Sequence, residues 1–240
     1  MGKWWMIVIA YVAMVTVNAL ANILPINGME TSVISDKIDV LFTPAGYVFS
    51  IWGLIYLLVG VWVVLQYKKF KANRAHADRV YMLFIASCVL NIGWLLCWHY
   101  EMFAFGQVLM FALLVSLILL YRSFDDTGFG GRLPFSIYLG WISVATIANM
   151  AYTLKHYDIS LGVSEPVGTI VLLIVAAALA LLGQYRENDA LFTAVFIWAI
   201  IGIAQSNTEQ LVVIGAYVAA AVIFFGGIAM SFLPNKKLYA

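Results

Sequence analysis

Residues 45–67 read AGYVFSIWGLIYLLVGVWVVLQY, an apolar run with no charged side chain. A helix needs roughly 20 apolar residues to cross a bilayer. In lipid, each backbone amide must find its partner inside the segment, which a helix provides. The run therefore predicts a transmembrane helix. Working outward, seven more runs of the same kind appear: Trp4–Leu24, Val80–Trp98, Met102–Tyr121, Pro134–Leu154, Pro166–Gly183, Ala190–Gln205 and Leu211–Phe232. None has a charged residue in its middle. The composition agrees, with 64% hydrophobic and 10% charged residues in 240. A domain of that size folded in water would not hide so much apolar surface. The expected fold is all-α, a polytopic helical bundle in the membrane.

The run Ala190–Gln205 is short, at about 16 residues, so it either spans a thin bilayer or is re-entrant. His99-Tyr100-Glu101 alone separates the third run from the fourth, which predicts a tight antiparallel hairpin. The loops set the orientation. Lys3, Lys68, Lys69, Lys71, Arg74, Arg79, Arg122, Arg132, Arg186, Lys236 and Lys237 fall on one side of eight spans. Only Lys37 and Lys155 fall on the other. The positive-inside rule then places both termini in the cytoplasm. The expected location is a bacterial cytoplasmic membrane, with the lipid bilayer as partner and no nucleic acid. The run from Trp4 is too long for a signal-peptide core, and Leu24-Pro25-Ile26 is no cleavage site, so it reads as a permanent helix. Cys88 and Cys97 are nine residues apart on one helix, on opposite faces, and cannot pair. The longest outer connection, Pro25–Pro44, holds Glu30, Asp36, Lys37 and Asp39, and reads either as a lid or as a partly ordered connector.

The polar groups inside the spans are neutral: Asn18, Ser50, Ser87, Asn91, Gln107, Ser143, Thr146, Asn149 and Thr193. Neutral groups glue helices or orient a ligand in an apolar site. They do not relay protons, so ion-coupled transport is disfavoured. No phosphate-binding loop, mid-helix lysine or hydrolytic constellation is present. His76, His99 and His156 read as loop residues. His99 and His156 fall on one outer side, as a surface metal or haem-iron site or as plain solvated side chains.

Aromatic side chains are abundant. Trp4, Trp5, Tyr67, Tyr100 and Tyr121 stand at span ends, where amphipathic rings anchor. Others lie deeper at helical spacing: Phe49, Trp52, Tyr56 and Gly60; Ser87, Asn91, Trp94 and Trp98; Tyr138, Trp141, Ala145, Asn149 and Tyr152. Each stripe is either ordinary packing or the wall of a flat apolar site furnished with amides.

These stripes resemble the TspO/MBR family, the translocator or tryptophan-rich sensory proteins. Residues 43–60 read TPAGYVFSIWGLIYLLVG against the family's P-P-x-W-x-x-x-x-x-W-x-x-L-Y-x-x-x-G, matching at Pro44, Trp52, Tyr56 and Gly60. Leu90-Asn91-Ile92-Gly93-Trp94 resembles L-N-x-x-W, and residues 138–149, YLGWISVATIAN, are similar to Y-L-x-W-x-x-x-A-x-x-x-N. The resemblance covers roughly residues 1–155, the family's five-helix unit. Residues 156–240 add about three spans of unknown role. The resemblance implies a ligand pocket closed by the loop after the first helix, lined here by Trp52, Tyr56, Asn91, Trp94, Trp141 and Asn149, with porphyrins among the ligands and dimers common. The chain departs from the pattern at Thr43, Gly46 and Ser50, and Pro134 stands four residues before Tyr138. The family's cholesterol motif is absent before Tyr152. Leu65-Gln66-Tyr67-Lys68-Lys69 fits such a pattern only formally, so sterol transport is not expected.

The leading expectation is a sensor or carrier of a planar hydrophobic molecule, such as the tetrapyrrole protoporphyrin, with no required cofactor, metal or catalytic residue. The alternatives are a neutral-solute transporter, a pigment-modifying enzyme and a membrane scaffold. Enzyme activity is the lesser expectation, because no acid–base pair is evident.

Overall fold

The computed structural model describes residues 2–24, 26–69, 74–160 and 162–232. Pro25, Lys71, Lys236 and Lys237, which entered the loop and charge arguments, lie outside the described residues, as do the side chains of Lys68, Lys69, Arg74 and His76. Among the described residues the secondary structure is helical, with no strand. The helices are α1 (Gly2–Ile23), α2 (Thr31–Ser35), α3 (Ile51–Lys69), α4 (Arg74–His99), α5 (Phe103–Tyr121), α6 (Leu133–His156), α7 (Glu165–Glu187), α8 (Ala190–Ser206) and α9 (Gln210–Ser231). Short 3₁₀ turns at Ile26–Gly28 and Gly46–Ser50 complete the set. Seven helices are long and apolar enough to cross a membrane, and α8 is a shorter apolar helix of 17 residues. The chain is a polytopic helical membrane protein.

The chain forms two compact units, Met1–Ile38 with Trp52–Ile142, and Asp39–Ile51 with Ser143–Ala240. In the first unit α4 and α5 form the expected hairpin, and α1 packs on α4. Glu101 takes a left-handed conformation (φ 55°) that turns the chain between them. α1 also meets α3. Trp4 Nε1 donates to the Val63 carbonyl at 3.0 Å, and Tyr11 Oη donates to the Tyr56 carbonyl at 2.8 Å. The second contact needs Gly60, where a Cβ would lie 2.5 Å from Tyr11 Oη. Further along α3, Trp62 is fully buried among Phe84, Phe135, Phe124 and Tyr81, with ring centroids 4.9–6.5 Å away.

In the second unit α7, α8 and α9 pack on one another. Two residues turn α7 into α8. Asn188 is left-handed (φ 50°), and Asp189 caps α8 by accepting the Leu191 and Phe192 amides at 3.1 Å. This is the usual service of Asn and Asp at helix ends. Gln184, buried in α7, is satisfied by Asn188, Ser231 and Thr193. The tie joins α7, α8 and α9 through neutral polar side chains.

α8 is a single unbroken helix, not a re-entrant hairpin. At 1.5 Å per residue it is about 25 Å long, shorter than a hydrocarbon core of about 30 Å. Residues 39–51 cover its end. The Ala45 amide donates to the Gly202 carbonyl at 3.1 Å. Ser206 Oγ donates to the Thr43 carbonyl at 2.7 Å, Asn207 Nδ2 to Leu41 O at 2.9 Å, and Trp198 Nε1 to Val48 O at 3.3 Å. Lys155 binds Glu165 and the Asp39 carbonyl, and Glu165 also accepts the Leu41 amide. The strap thus exchanges hydrogen bonds with the C-terminal end of α8, where a helix leaves carbonyls without intrahelical partners. A Cβ at Gly202 would stand 2.2 Å from Val48 Cγ2, on a stiff β-branched side chain. Gly202→Val is therefore expected to lower unfolding stability by about 1–3 kcal/mol, through overpacking. Thermal unfolding in detergent checks this, and an unchanged transition would mean the strap does not sit on α8.

Candidate ligand-binding site

Trp52 and Tyr56 are four residues apart near the start of α3, so their rings share one face of the helix. They stack, with centroids 5.6 Å apart and planes at 22°. From α6, Tyr138 and Trp141 stand three residues apart and meet Trp52 edge-on, at 6.0 Å and 67°, and at 6.2 Å and 84°. Edge-to-face contact is the favoured arrangement of aromatic quadrupoles. Tyr138 and Trp141 are buried, whereas Trp52 and Tyr56 are half-buried. The outer pair of the cluster therefore keeps accessible ring surface.

Asn91, on α4, is fully buried. Its Oδ1 accepts Asn18 Nδ2 from α1 at 2.8 Å, and the same Asn18 nitrogen donates to the Met14 carbonyl at 2.9 Å. The Asn91 side chain lies beside the Tyr138 phenol, whose hydroxyl contacts Met14 Sδ at 3.9 Å. The first unit thus brings together Trp52, Tyr56, Trp141 and Tyr138 of the same α6 stripe, with Asn91 adjoining through Tyr138. Asn18 also belongs to this group. Its sequence signal is an amide in an otherwise apolar span, which demands a partner.

Trp94 and Asn149, the other two expected lining residues, have these surroundings within their own units. Trp94 tilts against Trp98 at 6.1 Å and borders Gly106 of α5. Asn149 is buried in the part of α6 that belongs to the second unit, and its carbonyl accepts the Thr153 hydroxyl.

The histidines differ from the expectation of loop residues. His76 lies within α4, and His99 and His156 are the last residues of α4 and α6. His99 is fully buried rather than solvated. Its Nδ1 lies 3.2 Å from the Ile26 carbonyl and its Nε2 lies 3.0 Å from Thr31 Oγ1. A carbonyl only accepts, so Nδ1 carries the proton and Nε2 accepts the Thr31 hydroxyl. Asn27 Nδ2 donates to the His99 carbonyl at 3.0 Å, Trp98 Nε1 reaches Thr31 O at 3.4 Å, and Lys37 pairs with Glu101. Residues 26–37 are thereby latched to the end of α4, with Ile34 of α2 fully buried. Both ring nitrogens of His99 are occupied by this latch, which leaves neither for a metal. Among the described residues no three His, Cys, Asp or Glu side chains gather as a metal site.

What the arrangement offers is ring faces and one amide donor in neutral surroundings, inside a helical bundle of membrane-spanning length. That defines a class, the integral membrane proteins with an aromatic and amide site among their helices. The chain belongs to the TSPO-like protein family, whose model matches residues 4–229. The match runs on beyond residue 155, so α7, α8 and most of α9 fall inside it. Comparison with curated proteins finds no match, and comparison with solved structures finds none either.

Proposed function

We propose that the first unit binds a planar, largely hydrophobic molecule on the Trp52–Tyr56 face, as a membrane-embedded sensor or carrier. The observation that carries this reading is the half-buried Trp52–Tyr56 stack set edge-on against the buried Tyr138 and Trp141. Ring faces supply apolar contact to a flat ligand at low entropy cost. Family membership supports the same reading. A tetrapyrrole such as protoporphyrin is the ligand we put first. Trp52, Tyr56, Asn91 and Trp141 are its contacts, with Trp94 proposed from the motif match. The positive-inside count supports cytoplasmic termini.

The test is thermal unfolding of the detergent-purified protein with protoporphyrin IX, haem or a sterol. A ligand that binds only the folded state raises the melting temperature. A rise is expected with the porphyrin and none with the sterol. Trp52→Ala should weaken porphyrin binding by about 2 kcal/mol or more, because truncating an aromatic anchor removes its contact area. Flux of a neutral solute across proteoliposomes without any porphyrin response would favour transport instead.

A further inference from the structure

Three helices of the first unit, α1, α4 and α6, meet in one closed circuit of polar contacts. It starts at the Met14 carbonyl of α1, which only accepts, so the Asn18 atom 2.9 Å away is its NH₂ group. The same nitrogen donates to Asn91 Oδ1 of α4 at 2.8 Å. With its oxygen so engaged, Asn91 turns its NH₂ group to the Tyr138 phenol of α6. The phenol points its own hydroxyl at Met14 Sδ, 3.9 Å away, which returns the circuit to the residue where it began. All four side chains are buried. A buried polar network whose members satisfy one another is rigid, because any turn of one group leaves another unmatched. The ring of Tyr138 is therefore fixed by its hydroxyl, and that ring meets Trp52 edge-on at 6.0 Å and 67°.

We propose that Tyr138 is a positioning residue, which the circuit through Asn18 and Asn91 locks in place so that its ring holds the Trp52 indole in one orientation before a flat ligand arrives. Asn18 acts at two removes, through Asn91 and then Tyr138. A ring already held loses no rotamer freedom on binding, so the circuit adds affinity through groups that belong to the protein's own packing. Ring packing alone does not do this. A phenylalanine in place of Tyr138 would offer Trp52 the same edge, but nothing would tie that edge to α1 and α4. The inference rests on the ligand-binding reading of the Trp52–Tyr56 face and adds what keeps that face in place.

The experiment uses the full-length detergent-purified protein and two readouts. Fluorine NMR of protein labelled with fluorotryptophan reports the indole surroundings without any ligand, and the resonance missing in Trp52→Phe is the one to follow. Affinity for protoporphyrin IX is measured by calorimetry on unlabelled protein. Tyr138→Phe keeps the ring and removes only the hydroxyl that the circuit holds. The Trp52 resonance should then shift and broaden, and porphyrin affinity should fall about fivefold, the worth of one hydrogen bond. Asn18→Leu should do the same from the other side of the circuit. The double variant should be no worse than either single one, because both break one device. Either single variant decides the matter if the other fails to fold. Asn22→Leu removes an exposed amide one turn further along α1, outside the circuit, and should leave both readouts as in the wild type. An unshifted Trp52 resonance in folded Tyr138→Phe overturns the role of Tyr138 and leaves the planar site standing. Additive losses in the double variant, or equal losses in Asn22→Leu, overturn the circuit. A shifted resonance with unchanged affinity overturns its link to binding. No porphyrin binding by folded wild-type protein overturns the planar-ligand reading, and this inference with it.

Discussion

His99→Ala should release residues 26–37 from the end of α4 and speed hydrogen exchange of the Ile34, Asp36 and Lys37 amides. Those amides are held by the Glu30, Ser32 and Ile34 carbonyls inside the segment, so they exchange when it opens. The imidazole closes that segment with two hydrogen bonds, to Ile26 and Thr31, and fills a fully buried position. Its removal leaves the Ile26 carbonyl with the Met29 amide alone, frees the Thr31 hydroxyl and opens a hole. The combined loss is about 2 kcal/mol, on the order of a 30-fold rise in local opening. The amides around Asn91, two turns earlier in α4, should keep their protection. Lys37→Ala makes the contrast. The Lys37–Glu101 pair is exposed on both sides, and an exposed ion pair contributes about 0–1 kcal/mol. It should change exchange little. Unaltered exchange in His99→Ala would show that the segment is held by other contacts.

Trp62→Ala is expected to be the most damaging single substitution in the first unit. Trp62 is fully buried, with Phe84 and Phe135 at 4.9 and 5.0 Å and Phe124 and Tyr81 beyond. Truncating a buried aromatic costs about 3–5 kcal/mol in a soluble core, partly from transfer to water and partly from the cavity. In lipid the separated helices are already in apolar surroundings, so the transfer part shrinks and the packing part remains. The expected loss is therefore near the lower end, about 3 kcal/mol, read as a fall in unfolding stability in detergent. Trp62→Phe should cost much less. Trp62 Nε1 has no hydrogen-bond acceptor, so the smaller ring gives up some contact but no hydrogen bond. If the two variants were equally damaging, the indole nitrogen would have a partner after all.

These effects mark what could be read along the chain and what could not. The spans were legible from apolar length, and the structure places helices over each of them. The turn at Asn188 and Asp189 is local chemistry, a left-handed residue followed by a cap, but the structure and not the reading of the sequence located it. His99 was not. It stands beside Tyr100 and Glu101, which are exposed or nearly so, and nothing nearby in sequence distinguishes a solvated histidine from a latch. Its partners, Thr31 and Ile26, lie 68 and 73 positions away. The short α8 was legible as an anomaly, but its completion by residues 39–51 was not, since those contacts join Leu41 and Thr43 to Asn207 and Ser206.

The candidate site divides in the same way. Trp52, Tyr56 and Trp141 were identifiable from helical spacing and motif, and the structure gathers them with Tyr138. Trp94 carries an equally good motif, but its neighbours Trp98 and Gly106 could not be read from it, because a helix has several faces and the motif does not say which neighbour each one meets. By itself, the sequence determined the solvent, the helices and the neutral character of the interior. These follow from local rules: a backbone in lipid must satisfy its own hydrogen bonds, and a charge there is costly. Only the tertiary structure decided that His99 is a buried latch, that Asn18 faces Asn91, and which end of each amide meets the other. Those outcomes depend on groups brought within 3 Å across the bundle from distant parts of the chain, and hydrogen-bond polarity is set by the partner a group meets in space.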